Sequence, residues 1–180
     1  MDCNILHPME QSVKPPPHRH RIVDDKDTPR LTFHSTTPFV DGPITDLAVF
    51  CSDARFGAQS EQFIASVLGH TRFDRLVAPG GPACMLDWTA DLDDEVETVE
   101  RLKWFLIDNH EIDRVILIAH EGCAYYTIKL GIGAEMLHWR QEDDLRKAVG
   151  RIRSVKPGLR VEAHFASVRE GRVIFSPVIC

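Results

Sequence analysis

The chain has 180 residues, 43% hydrophobic and 27% charged, with a formal net charge of -6, which fits one globular domain with a substantial core. That charge excludes a nucleic-acid surface, which needs clustered Lys and Arg, and no apolar run approaches the roughly 18 residues of a membrane span. No basic stretch followed by an apolar segment opens the chain, so a cytoplasmic location is expected.

Residues 1–43 hold seven of the eleven prolines, Pro15-Pro16-Pro17 among them, and show no sustained hydrophobic period. They read as an irregular Pro-rich arm ahead of a domain at 44–180. The locally basic "KPPPHRHR" fits a solvated extension better than a docking or metal-binding tract.

From Ile44 onward strands and helices alternate. Leu47–Cys51 predicts a short buried strand, and Ser60–His70 a helix that places Phe63, Ile64, Val67 and Leu68 on one face, with Ser60 as its N-cap. Arg75–Ala78 predicts a second strand running into Pro79-Gly80-Gly81-Pro82, a breaker cluster expected to be a loop. Leu92, Val96, Val99, Leu102, Phe105 and Leu106 hold a helical period, with Asp91, Asp93, Asp94 and Glu95 at the positive end of the helix dipole. "RVILIA", 114–119, is the uninterrupted apolar run of a strand covered on both faces, and is expected to be central.

Leu145, Val149, Ile152 and Val155 mark another amphipathic helix, stopped by Pro157-Gly158. "RVEAHFASV" and "RVIFS" then flank Glu170-Gly171 as a hairpin. The sum is an α/β fold: an open, mostly parallel sheet flanked by helices, with an antiparallel edge hairpin at the C-terminus.

Ligands of such sheets bind beyond the carboxyl ends of the strands. Two short sequences sit there, "CSDAR" at 51–55 and "AHEGC" at 119–123. If the first and third strands are neighbours, Cys51, His120 and Cys123 converge. The five cysteines, at 3, 51, 84, 123 and 180, are odd in number and scattered, which disfavours a disulfide framework and favours metal or thiol chemistry. Two thiolates and an imidazole are a donor set that Zn2+ prefers, with a fourth position left open. Asp53 reaches that position directly, as a fourth ligand in a closed state, or through water. Arg55 is placed to grip Asp53 and keep it ionised and aimed. Cys3, Cys84 and Cys180 read as packing or terminal thiols. Trp88, Trp104 and Trp139 read as core or interface anchors, and Tyr125 and Tyr126 as one core and one surface aromatic.

C-x-D-x-R at 51–55 followed by H-x-x-C at 120–123 resembles the β-class carbonic anhydrases over roughly residues 44–178. The resemblance implies zinc on Cys51, His120 and Cys123, an Asp53–Arg55 dyad that orients or gates the fourth ligand, and attack of zinc-bound hydroxide on carbon dioxide to give bicarbonate. It also implies at least a homodimer, with an N-terminal arm wrapping the neighbour. The sequence departs from that family's pattern at Ala124-Tyr125-Tyr126, where glycine is usual, and at Ala78–Pro82, where Arg-Asn-Ala-Gly-Asn is common. Two alternatives stand beside carbon dioxide hydration: hydrolysis of carbonyl sulfide or carbon disulfide, and a non-catalytic zinc protein whose site Asp53 caps.

Overall fold

The unbroken apolar run at 114–119 becomes the middle strand of a five-stranded sheet. A computed structural model describes residues 33–86, 108 and 110–180. Its strands are β1 (Asp46–Cys51), β2 (Asp74–Ala78), β3 (Arg114–His120), β4 (Arg160–Arg169) and β5 (Arg172–Pro177). They lie in the order β2-β1-β3-β4-β5, parallel except for the β4–β5 pair. This is the expected fold class, with β1 and β3 side by side and Phe50 in register with Ile118. The Glu170-Gly171 turn has positive φ at both residues, 52° and 73°, as a tight two-residue hairpin requires.

Helices cover both sheet faces, which is why β3 has no polar alternation. Helix α1 (Ala54–Leu68) packs Phe56 and Ile64 against Ala48, Phe50, Ile116 and Ile118. Helix α2 (Ala134–Val155) packs Leu145, Ala148, Val149 and Ile152 against Val49, Val115, Leu117, Val161 and Phe165 on the opposite face. Each Val, Leu, Ile and Phe among these contributes about 1.5–3 kcal/mol by leaving water. Both strands that carry the candidate donors are thus gripped from two sides.

Two expectations are corrected. Helix α1 begins at Ala54, six residues before the position read from its apolar period, and its N-cap is Asp53, whose Oδ1 accepts the Arg55 N–H at 3.0 Å. Ser60 is instead buried within the helix. The Pro79–Pro82 cluster is only partly loop, because Gly81–Met85 forms a short 3₁₀ turn with Pro82 in its first turn, where a missing N–H is harmless. Of the two places read for Trp139, core or interface, its 57% exposure leaves the second.

The helix read at 92–106, Trp88, Trp104 and Cys3 lie outside the described residues, as does most of the arm read at 1–43. Residues 33–40 carry neither helix nor strand. No helix among the described residues is long and apolar enough to cross a membrane.

Candidate metal centre

Cys51 ends β1, His120 ends β3, and Cys123 follows after a turn in which Gly122 adopts φ 63°. The parallel β1–β3 pairing brings the two strand ends to the same edge. As a result the donor atoms of Cys51, His120 and Cys123 all lie within 4.8 Å of one another, and all three residues are buried. The two sulfurs are 3.9 Å apart.

The imidazole of His120 is fixed from two directions. Its Nδ1 donates to the Glu121 carbonyl at 2.8 Å, since a carbonyl can only accept. Its ring lies 4.3 Å from that of Phe56 in α1. This tautomer leaves Nε2 with a lone pair, and Nε2 is buried without a hydrogen-bond partner among the described residues. An orphaned buried nitrogen costs roughly 1–3 kcal/mol unless something occupies it. Together with two sulfurs at ligand spacing, it fits a Zn2+ ion held by two thiolates and one imidazole.

The thiols respond to each other before anything else. The hydrogen bond from Cys123 pulls the Cys51 thiol far down, helped by the Asp53 N–H, while burial opposes the shift. The same bond, together with burial, pushes Cys123 up, although the Tyr125 and Tyr126 N–H groups point at its sulfur and favour the thiolate. Proximity thus favours one proton between the two sulfurs, which a bound metal would displace.

Asp53 stands two residues beyond Cys51. Arg55 Nε donates to both carboxylate oxygens, at 3.0 and 3.1 Å, and Nη2 donates to Oδ2 at 2.6 Å. These hydrogen bonds hold the Asp53 pKa down at about 2. The carboxylate is thus occupied as helix cap and as guanidinium partner, and is not part of the three-residue donor cluster. Arg55 is exposed and feels the charge of both sulfurs.

Around the sulfurs, Ala83, Tyr126 and Leu137 form an apolar wall, with Tyr125, Leu130 and Ile132 packed behind it. The two stretches that depart from the family pattern meet here. A Cβ on Gly80 would lie 2.5 Å from the Tyr125 ring, so the glycine and the tyrosine share one contact. Tyr126 is buried and Tyr125 half-buried.

Sequence reasoning missed the supports on α2. Gln141 and Asp144 are each only 1% exposed. Gln141 Nε2 donates to the His120 carbonyl at 2.8 Å. Asp144 accepts from Arg140 Nε at 3.1 and 3.2 Å and from the Tyr126 hydroxyl. The available signal was a pair of polar residues within the apolar stripe Leu137, Leu145, Ala148, Val149, Ile152.

No family model and no curated protein matches this chain. Among solved structures it is similar to a β-carbonic anhydrase of Trichomonas vaginalis, with 16% identity, 78% of this chain and 87% of that one covered, and a TM-score of 0.46. It is also similar to a carbonic anhydrase of Streptococcus mutans (17% identity, 81% and 89% covered, TM-score 0.47). A third is one of the tetrameric β-carbonic anhydrases of Sordaria macrospora (13%, 78% and 83%, TM-score 0.46).

Proposed function

We propose that this protein is a zinc-dependent enzyme that reversibly hydrates carbon dioxide to bicarbonate. The observation that carries this reading is the orphaned, buried Nε2 of His120 facing two sulfurs, beside a carboxylate locked on its own arginine. Zinc held by Cys51, His120 and Cys123 would supply Lewis acidity, lowering the pKa of water towards about 7.

The chain's own residues supply the rest. The two sulfurs cancel the formal charge of a divalent ion, which makes the site a weaker acid than an all-histidine one and favours activity at higher pH. Asp53, ionised throughout the working range, accepts a hydrogen bond from water at the mouth of the site and fixes its orientation. Arg55 keeps Asp53 turned for that task and out of the donor set. The apolar wall of Ala83, Tyr126 and Leu137 excludes bulk water and suits a small neutral substrate. Bicarbonate, once formed, is anionic and leaves towards Arg55 and solvent.

The reading extends to a homodimer or larger homo-oligomer, supported by the exposed Ile128, Met136 and Trp139, with residues 1–43 as its arm. It also places the protein in the cytoplasm, where thiols 51 and 123 stay reduced and able to bind metal.

Stopped-flow carbon dioxide hydration on protein of verified zinc content, from about pH 6.5 to 9, tests it. Activity should rise with pH, and Asp53→Asn should lower it by about 10–100-fold at unchanged zinc content. Zinc-loaded protein inactive at every pH would remove carbon dioxide as substrate and direct the search to carbonyl sulfide and carbon disulfide.

A further inference from the structure

The face of α2 that meets the sheet should be wholly apolar, yet it carries two polar residues one turn apart. Gln141 and Asp144 lie at i and i+3, both almost completely buried, among Leu137, Leu145, Ala148, Val149 and Ile152. Burying an amide and a carboxylate costs stability unless each is paired. Their partners are therefore informative.

Gln141 reaches the start of the donor segment and bonds the main-chain carbonyl of His120. Asp144 reaches its end. There the Tyr126 hydroxyl donates to the Asp144 carboxylate. Asp144 is held in turn by Arg140 one turn earlier on the same helix. Between these anchors lie His120 and Cys123, two of the three metal donors. The Tyr126 amide also points at the Cys123 sulfur.

A purely structural account of Gln141 is incomplete at its amide oxygen. The bond to His120 fixes Nε2 towards a carbonyl, and Oε1 is then left buried with no hydrogen-bond partner among the described residues. A leucine or methionine at 141 would remove that orphan and pack the same face, but would take the amide donor from the His120 carbonyl. The amide's gain for folding is thus offset, whereas its hold on His120 is direct.

We propose that Gln141 and Asp144 are positioning residues that hold the two ends of the His120–Tyr126 segment from one face of α2 and so set the spacing of the donors His120 and Cys123. This rests on the reading of Cys51, His120 and Cys123 as a metal site. Supports of this kind tune a site without touching the ion, and their loss typically weakens binding 10–100-fold.

Gln141→Met and Tyr126→Phe test the two anchors separately, and both keep side-chain volume. The full-length chain is titrated with Co2+ and with Zn2+ against a chromophoric chelator, the visible Co2+ spectrum is recorded, and the melting temperature of metal-free protein is measured. Each variant should bind both ions about 10–100-fold more weakly and alter the Co2+ bands. Metal-free Gln141→Met should melt close to the wild-type temperature, because the lost bond to the His120 carbonyl and the removed orphan Oε1 offset each other. Variants with wild-type affinity and spectrum would overturn the proposal, as would weaker binding fully accounted for by a smaller folded fraction. A wild-type chain that binds neither ion would overturn the metal reading and this inference with it.

Discussion

Cys123→Ser is expected to weaken zinc binding by more than about 100-fold, beyond what loss of a supporting hydrogen bond costs, and to remove hydration activity altogether. The sulfur of Cys123 is buried, lies 3.9 Å from that of Cys51 and faces the Tyr125 and Tyr126 amides. A serine hydroxyl in that place is shorter and stays protonated at neutral pH, so the site loses one of its two negative donors. The orphaned Nε2 of His120 and a single thiolate are too few to hold the ion. The fold should survive, because Cys123 lies beyond the end of β3 and contributes nothing to the sheet ladder. Metal content by elemental analysis and circular dichroism of the same sample check both halves. Cys84→Ala is the control. Cys84 packs in the 3₁₀ turn with the core beneath α2, outside the donor cluster, so its replacement should lower stability modestly and leave zinc content unchanged. Retention of zinc by Cys123→Ser, or its loss in Cys84→Ala, would mean that the donors are assigned wrongly.

What could be read before any coordinates depended on whether a residue's signal was local. The strand read at 114–119 was legible because a run buried on both faces leaves no polar alternation, as in the shorter run at 47–51. Cys51, His120 and Cys123 were legible once β1 and β3 were taken as neighbours, since parallel pairing then places both strand ends at one edge. The start of α1 differs because its first turns offer Phe56 alone to the sheet, which makes no period, whereas the helix itself starts where Asp53 can cap it. In the sequence Asp53 reads for chemistry alone. Its carboxylate serves as cap and as partner of Arg55 together, and the two roles leave the same trace in sequence. Gln141 and Asp144 were invisible for a different reason. A polar residue on an apolar helix face acquires meaning only when its partner is known, and those partners, the His120 carbonyl and the Tyr126 hydroxyl, lie far away in the chain.

The Gly80-Gly81 pair belongs to that second kind, and it yields the last expectation. Either glycine passes in sequence for an ordinary turn residue. At Gly81, with φ 56°, a Cβ would lie 2.9 Å from the Cys51 nitrogen, 3.1 Å from the Phe50 carbonyl carbon and 3.2 Å from the Ile118 oxygen. All three are backbone atoms of β1 and β3, the strands that carry Cys51 and His120, and none can rotate aside. Gly81→Ala therefore combines an unfavourable left-handed conformation with overpacking, and should cost about 2–4 kcal/mol in urea unfolding. It should weaken metal binding too, because the relief available is a shift of the β1 end. Gly69 separates the two causes. Its φ is 78° as the C-cap of α1, and a Cβ there meets nothing within 4 Å. Gly69→Ala should thus cost only about 1–2 kcal/mol of backbone strain and leave metal affinity intact. If both alanine variants lose the same stability and bind zinc equally well, the close approach at Gly81 has no bearing on the site, and the loop between β2 and the 3₁₀ turn is merely a turn.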